Sequence, residues 1–147
     1  MEHTIELEIG TKPIKMNPYR KPKRIINDIE EAIKEFLELG LLRPSSNPYA
    51  SLVIMVKKKD GTLRMCIDFR ALNKNTVENR YPIPKIYELM NELHQAKLFS
   101  KIDLRSGYHQ IRMRKEGIPK TAFRCHYGHF EFVSMPFGLK NRPTTFQ

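Results

Sequence analysis

Cysteines, long apolar runs and internal repeats are scarce or absent in this sequence of 147 residues. Its two cysteines, Cys66 and Cys125, stand 59 positions apart and form no CxxC pair, which argues against a disulfide scaffold or a structural zinc site. The longest apolar run covers residues 52–56, far below the roughly 20 residues that a membrane helix needs, and no signal peptide opens the chain. We therefore expect a soluble intracellular protein in a reducing compartment, with no membrane partner. The sequence does not separate cytoplasm from nucleus.

Acidic residues are also scarce, but only in the later part of the chain. Lys and Arg number 26 against 16 Asp and Glu, which gives a net charge of +10. Residues 1–56 hold eight of each sign, whereas residues 57–147 hold 18 basic and 8 acidic side chains. Such an excess is typical of surfaces that meet polyanions, nucleic acid first. An apolar content of 40% is too high for a disordered tail, so we expect a folded chain.

The apolar pattern predicts a mixture of helices and strands behind a short arm. Residues 1–24 read as an extended arm, with a strand over 5–9 and then a basic loop that contains proline. A helix is predicted from Asn27, its expected N-cap, to Gly40. The remaining elements are a hairpin with strands 52–57 and 63–69 about Asp60-Gly61, a helix after Pro84, a strand over 97–103, a hairpin about Tyr127-Gly128-His129, and a helical turn from Pro143.

Asp103 is the first candidate for chemistry, because it ends the predicted strand just ahead of Gly107. A carboxylate in that position commonly binds a hard cation, but aspartate also caps helices well, so the spacing leaves both interpretations open. Phosphoryl transfer with paired metal ions needs several carboxylates around ions about 4 Å apart. The other acidic residues of this region, Asp68, Glu116 and Glu131, are weak candidates, and we interpret Asp68 with Arg70 as structural.

A basic cluster surrounds the first hairpin turn, with Lys57, Lys58 and Lys59 before it and Arg64 after it. These cations could hold phosphates, or they could be a charged turn that keeps an exposed hairpin soluble. Further basic and aromatic residues, which could bind nucleic acid or belong to the core, are Lys120, Arg124, Lys140, Arg142, Tyr127, Phe130 and Phe137. Cys125, His126 and His129 are close together in the sequence, but their spacing argues against a metal site, because the first two face opposite sides of a strand.

A series of segments runs in fixed order through nearly the whole chain. They are Lys12-Pro13, Tyr19-Arg20, GLLRPSSNPYAS, VKKKDGTLRMCIDFRALN, RYPIP, FSKIDLRSGYHQI, KTAF, YGHFEF and MPFGLKNRPTTFQ. In order and spacing the chain resembles the N-terminal part of the reverse transcriptase of gypsy-type LTR retrotransposon Pol polyproteins. The resemblance implies an α+β fragment of a right-hand polymerase, in which residues 25–147 form the fingers and the first part of the palm.

The resemblance also implies the roles of individual residues. Asp103 matches the first catalytic aspartate, which binds two Mg²⁺ ions, and the Leu104 carbonyl adds a ligand. Tyr108 matches the aromatic residue that packs under the incoming sugar and excludes a 2'-hydroxyl. The remaining nucleotide-binding positions are Lys58, Arg64, Arg105, Ser106, Gly107, Phe137 and Gly138, and the nucleic-acid contacts fall on Lys57, Lys59, Lys120, Arg124 and Lys140. The implied partners are an RNA template, a DNA primer and deoxynucleoside triphosphates.

Two departures from the family pattern matter. The second catalytic element, an aromatic-x-Asp-Asp turn, has no match in the sequence, and neither do the thumb, connection, ribonuclease H and integrase regions. We therefore expect a chain truncated before that carboxylate pair, without polymerase activity unless the missing remainder of the polymerase completes the site. Arg142 stands where relatives usually carry a small alanine, which suggests drift in an element no longer under selection.

Three hypotheses follow. The first is a fragment of an RNA-directed DNA polymerase, whose complete form joins a primer 3'-hydroxyl to a nucleotide α-phosphate with two Mg²⁺ ions. The second is a non-catalytic basic fragment that binds nucleic acid through its phosphates, with an affinity that falls as salt rises. The third is a decayed retroelement product without a stable fold.

Overall fold

The computed structural model describes residues 1–104 and 107–146. In chain order the elements are β1 (Glu2–His3), α1 (Lys23–Glu38), β2 (Leu42–Pro44), β3 (Ser51–Lys57), β4 (Leu63–Asp68), α2 (Arg70–Lys74), α3 (Ile86–Glu92), β5 (Arg112–Met113), β6 (Phe123–Cys125), β7 (Gly128–Phe132) and α4 (Arg142–Phe146). Short 3₁₀ helices cover Gly107–Gln110 and Ile118–Thr121. The predicted α+β class is confirmed.

Five strands form one mixed sheet in the order β2-β7-β6-β3-β4. Its pairs are antiparallel except β3 with β6, which run parallel. Both predicted hairpins are confirmed, β3 with β4 and β6 with β7. At the first turn Gly61 has a φ of +84°, a left-handed conformation that glycine adopts without a steric cost. A second, two-stranded sheet pairs β1 with β5 in parallel.

The core lies between helix α1 and the five-stranded sheet. Ile29 and Ile33, one helical turn apart, are both completely buried, so the helix packs one apolar stripe onto the strands. On the sheet side Phe123 is also completely buried, and its ring lies 6.0 Å from Phe130 and 5.6 Å from Phe132. This three-ring cluster joins β6 to β7 and fixes the strand register under the helix.

Helix α1 begins earlier than the sequence predicts. It starts at Lys23, with Pro22 at the N-cap position and no side-chain cap, so the predicted cap at Asn27 is wrong. Proline has a fixed φ that suits the entry to a helix and needs no hydrogen-bond partner for its nitrogen. The predicted end is confirmed, because the helix stops at Glu38 and Gly40 takes a left-handed φ of +68°.

The predicted strand over residues 5–9 is wrong. The arm forms the two-residue strand β1 and then only an isolated bridge between Leu7 and Thr76. Single hydrogen bonds, from the Glu8 amide to the Asn75 carbonyl and from the Val77 amide to the Glu6 carbonyl, connect the arm to the chain after α2. Ile5 is buried but Ile9 is exposed, although both belong to the same alternating pattern. No neighbouring strand extends far enough along the arm to continue the hydrogen-bonded ladder to Ile9.

Residues 77–104 lie outside the packed layers. The predicted helix is confirmed as α3, but the apolar side chains of Ile86, Leu89, Met90 and the C-cap residue Leu93 are 44–77% exposed. The predicted strand over 97–103 is wrong, because no strand in the described part of the chain pairs with it. An extended segment without a partner has no ladder hydrogen bonds to define it as a strand. Within residues 1–104 and 107–146, no helix has the length and apolar character needed to cross a membrane.

Candidate nucleotide site

Three aromatic side chains from separate segments meet at one end of the fold. Tyr108 lies on the 3₁₀ helix Gly107–Gln110, Phe137 follows β7, and Phe146 belongs to α4. The Tyr108 ring centroid lies 5.5 Å from that of Phe137, edge to face, and 4.5 Å from that of Phe146. These distances are within the range of favourable aromatic pairs, so the three segments hold one another in place.

Two arginines approach the same aromatic group. The guanidinium carbon of Arg64, on β4, lies 5.2 Å from the Phe137 ring centroid. That of Arg142, at the start of α4, lies 3.9 Å from the Tyr108 centroid and 4.7 Å from the Phe137 centroid. All three separations are within the range of cation–π attraction. The fold therefore brings together Arg64, Tyr108 and Phe137, three residues that the family resemblance assigns to nucleotide binding.

His109 packs beside this group. Its ring centroid lies 5.4 Å from that of Phe137 and 5.7 Å from that of Phe36 on α1. Burial lowers the pKa of His109, and the positive charge of Arg142 lowers that pKa further. Its Nδ1 atom is buried and has no hydrogen-bond partner among the described residues. The aromatic group thus connects to helix α1 through the His109 ring.

Asn73 fixes the loop that carries Phe137. Its side-chain amide donates to the Gly138 carbonyl at 2.6 Å, and its amide oxygen accepts the Lys140 backbone N–H at 2.9 Å. Gly138 itself has a φ of +95°, which a residue with a side chain would adopt only with strain. Asn73 lies on α2, directly after the first hairpin, so this pair of hydrogen bonds connects the loop to the chain that follows β4. Sequence reasoning did not single out Asn73.

The hairpin tip is compact and basic. The Lys58 amide donates to the Thr62 carbonyl at 2.7 Å, and the Gly61 amide donates to the Lys58 carbonyl at 3.0 Å. The Asp60 carboxylate accepts hydrogen bonds from both the backbone and the hydroxyl of Thr62, which lower its pKa. A groove of about 510 Å³ at the tip is lined by residues 56–60, Arg64 and Cys66. The three exposed lysines 57–59 thus adjoin Arg64, which reaches the aromatic group.

Asp103 and Leu104 are both exposed. A Cβ atom at Gly107 would lie 3.1 Å from Cζ of Phe146 and 3.2 Å from Cβ of Leu104. A side chain at Gly107 would therefore crowd both Leu104 and the Phe146 ring of the aromatic group. Arg105 and Ser106 lie outside the described residues.

Two of the predicted nucleic-acid contacts have internal partners. The Lys120 ammonium donates to the Ile5 carbonyl, and the Lys140 ammonium donates to the Thr76 carbonyl at 3.2 Å. Arg124, on β6, lies opposite His129 in the hairpin and lines a cavity of about 250 Å³ between the arm and α1. Lys120, Lys140 and Arg124 therefore lie in surroundings different from those of the exposed lysines at the hairpin tip.

Two of the other carboxylates considered for a metal site, Asp68 and Glu131, are paired with protein groups. Asp68 accepts hydrogen bonds from Arg70 Nε at 2.9 Å and Nη2 at 2.6 Å, which lower the pKa of Asp68, as expected of a structural pair. Glu131 accepts from Arg43 Nε and from Ser45 Oγ, each at 2.8 Å. No group of three His, Cys, Asp or Glu side chains within residues 1–104 and 107–146 is placed to hold a metal ion.

The Cys125, His126 and His129 group takes part in local hydrogen bonds. His129 Nε2 lies 2.7 Å from the Tyr49 carbonyl, and Cys125 Sγ lies 3.6 Å from the Gly128 carbonyl. Burial raises the pKa of the Cys125 thiol, which keeps it protonated and a poor metal ligand at pH 7. The Cys125 contact thus lies within the second hairpin, and the His129 contact joins that hairpin to the segment before β3.

Comparison with known proteins identifies the family of the chain. Residues 56–147 match the family model described as reverse transcriptase (RNA-dependent DNA polymerase). The whole chain is 41% identical to the Pol polyprotein from the Drosophila melanogaster transposon opus, and 82% of it is 44% identical to that from transposon 297. It is also 37% identical over its full length to the Tf2-3 polyprotein of Schizosaccharomyces pombe.

These relatives are much longer proteins, and the chain spans 16%, 12% and 11% of their respective lengths. Among solved structures, the prototype foamy virus protease–reverse transcriptase superposes on 96% of this chain with a TM-score of 0.79 and 23% sequence identity. That likeness shows a shared fold. The family match and the transposon relatives establish that the chain belongs to the reverse transcriptase family found in retrotransposon Pol polyproteins.

Proposed function

We propose that residues 25–147 form the fingers and the first part of the palm of an RNA-directed DNA polymerase, preceded by an arm at residues 1–24. In this proposal the chain binds a deoxynucleoside triphosphate together with an RNA template and a DNA primer. Tyr108 lies under the sugar of the nucleotide, and Phe137 and Gly138 border its pocket. Lys58 and Arg64 bind the triphosphate, with Arg105, Ser106 and Gly107 next to it.

The convergence of Arg64, Tyr108 and Phe137 is the observation that carries this proposal. These residues come from β4, a 3₁₀ helix and the loop after β7, yet all lie within 5.5 Å of the Phe137 ring centroid. An aromatic platform with an adjacent guanidinium suits a ligand that joins a flat or ring-shaped part to an anionic part. A nucleotide has both parts. The exposed lysines at the hairpin tip extend the positive charge toward the longer phosphate backbone of nucleic acid.

The residues present supply only part of a two-metal site. Asp103 is an exposed carboxylate with the oxygen ligands that Mg²⁺ prefers, and the Leu104 carbonyl is its neighbour in the chain. A two-metal site bridges its ions with several carboxylates, and the sequence contains no adjacent pair of aspartates. When bound, the ions would activate the primer hydroxyl and neutralise the leaving pyrophosphate. The chain therefore requires carboxylates from another segment for catalysis, and it does not polymerise by itself.

Primer extension and hybrid binding together test the proposal. The purified chain is incubated with poly(rA)/oligo(dT), thymidine triphosphate and Mg²⁺, beside an Asp103→Asn variant. We expect no extension by either protein, but binding of the hybrid that weakens steeply between 50 and roughly 200 mM salt. Lys57→Ala and Lys59→Ala should each lower the affinity and flatten its salt dependence, since each removes a phosphate contact.

The possible outcomes separate the three hypotheses. Extension by the wild-type chain that disappears in Asp103→Asn would mean that the site is completed in solution and that the inactivity prediction is wrong. Binding of hybrid without any selectivity over single strands would favour a non-catalytic basic fragment. A chain that neither binds nor melts cooperatively would favour the decayed product.

A further inference from the structure

Arg142 is the residue of the candidate site that the family resemblance does not explain. It occupies a position where relatives usually carry a small alanine, yet its guanidinium lies against the rings of Tyr108 and Phe137, at 3.9 and 4.7 Å from their centroids. A side chain left by drift would be expected to point into solvent, where it costs nothing. This one packs on the aromatic group.

The guanidinium of Arg142 has an unused donor. Its Nη1 atom is buried and has no hydrogen-bond partner in the described part of the chain, and no carboxylate there lies within ion-pair distance of it. The aromatic faces stabilise the charge but accept no strong hydrogen bond. A buried charged donor without an acceptor is costly to maintain, and an arriving oxyanion would remove that cost.

Arg64 places a second guanidinium close by, and no hydrogen bond or ion pair holds it among residues 1–104 and 107–146. Its carbon lies 5.2 Å from the Phe137 centroid and that of Arg142 lies 4.7 Å from it, so the two carbons are no more than about 10 Å apart. Arg64 also lines the groove that it shares with the three lysines of the hairpin tip. Positive charge therefore runs from the tip through Arg64 to Arg142. This arrangement fits a linear anion with several charges better than a single carboxylate.

We propose that Arg142 is an additional anion-binding residue of this site, which together with Arg64 holds the polyphosphate of a nucleoside triphosphate across the Phe137 ring. The inference deepens the proposed function and rests on it for the nucleotide part of the ligand. For the phosphate part of the ligand, the inference depends only on the two guanidinium groups. Arg142 also contacts Tyr108, so phosphate binding and the position of the sugar platform are coupled through one side chain.

Calorimetric titration with inorganic tripolyphosphate, at low salt and pH 7.5, tests this inference without nucleotide or nucleic acid. Arg142→Met keeps much of the packing bulk and removes the charge, and Arg64→Met does the same on β4. We expect each to weaken tripolyphosphate binding about tenfold or more, because each removes a charge-assisted contact. Arg112→Met is the matched control, since Arg112 is an exposed arginine on β5 that lines a different cavity, and it should change the affinity less than about twofold.

The double variant and a second ligand complete the design. In Arg64→Met/Arg142→Met the combined loss should differ from the product of the single losses, as expected for two groups that hold one ligand. Thymidine, which lacks phosphate, is the control ligand, and it should bind no more tightly to the wild type than to Arg142→Met. Thermal melts of all variants show whether each remains folded, and Arg142→Lys provides a charged alternative that should retain part of the affinity.

Each result decides the inference. Tripolyphosphate affinity that is unchanged in folded Arg142→Met, or absent in the wild type, would overturn it. A loss for a single-stranded oligonucleotide but none for tripolyphosphate would also overturn it, because the ligand would then be a nucleic-acid backbone. A tripolyphosphate loss in a chain that fails to bind the RNA–DNA hybrid would support the anion site while refuting the proposed function, so the two failures are distinguishable.

Discussion

Two regions of this protein with similar apolar patterns differ in what surrounds them. In the sheet and helix α1, apolar side chains at strand and helix spacing are buried, and Ile29, Ile33 and Phe123 are completely so. In residues 77–104, helix α3 has an equally regular stripe, yet all of its members are exposed. Periodicity therefore specifies a helix and the face that can be buried, but a packed neighbour is needed to bury it.

The difference is one of energy as well as exposure. Removing an apolar side chain from water contributes about 25 cal/mol per Å² of buried area, so the stripe of α3 contributes little where it remains in solvent. A seven-residue helix is also too short to be stable by its own propensity. We infer that the packed region sets the stability of the chain, and the exposed segment adds little to it.

The largest expected effect comes from the core. Phe123→Ala should lower the free energy of unfolding by roughly 3–5 kcal/mol, because it removes a completely buried ring and the contacts with Phe130 and Phe132. Ile86→Ala, in the exposed segment, should change it by less than about 0.5 kcal/mol, since Ile86 is 77% exposed. Urea denaturation followed by circular dichroism measures both. A comparable loss in Ile86→Ala would show that the stripe of α3 is buried in solution.

The second effect is a dependence on pH that belongs to the packed region. His3 is buried against α4, where its Nδ1 lies 2.8 Å from Thr145 Oγ1, and burial lowers its pKa to about 4. Because the unfolded chain binds this proton near pH 6.5, stability is complete above that value and is lost as the pH falls toward 4. The loss should reach about 3 kcal/mol.

His3→Gln separates this contribution from that of the carboxylates. Glutamine retains a group that can hydrogen-bond Thr145 but does not titrate, so its unfolding free energy should vary much less between pH 6.5 and 4.5. Denaturation curves at half-unit intervals measure the difference. Parallel pH profiles for the wild type and His3→Gln would contradict the assignment of the acid sensitivity to His3.

The same contrast between packed and exposed regions explains which parts of the fold are predictable from the sequence. The first hairpin was predictable because Asp60-Gly61 specifies a turn with positive φ, and its flanking strands carry their own alternating pattern. The strand over 97–103 was not, because strand formation depends on a partner that no local pattern reveals. The start of α1 was missed since Asn27 is a good cap in isolation, whereas Pro22 fixes the actual entry.

The candidate site divides in a similar way. Its aromatic and basic positions could be proposed from the family resemblance, which associates residues distant in sequence. The contribution of Asn73 could not, because its two hydrogen bonds join α2 to a loop 65 positions away. The packing of Arg142 against two rings was equally unpredictable, since nothing in its neighbourhood in the sequence indicates which way the side chain points.

A smaller effect is expected at the hairpin tip, where the packed region reaches solvent. Gly61→Ala should lower the free energy of unfolding by about 1 kcal/mol, because a side chain at φ +84° is strained even though no atom lies within 4 Å of the added carbon. Gly61→Asn should cost less, since asparagine tolerates this conformation better. Thermal denaturation distinguishes the two. An alanine variant as stable as the wild type would mean that the turn changes conformation.

The smallest effect tests whether Arg142 is charged and close to His109. Because burial and the charge of Arg142 both lower the pKa of His109, Arg142→Met should raise that pKa while leaving the burial contribution in place. Nuclear magnetic resonance titration of the imidazole in the wild type and in Arg142→Met measures it. The folded value then moves toward that of the unfolded chain, so the variant should lose less stability on acidification below pH 6.5 than the wild type does. An unchanged His109 titration would place the Arg142 guanidinium outside the aromatic group and remove the geometric basis of the proposed anion site.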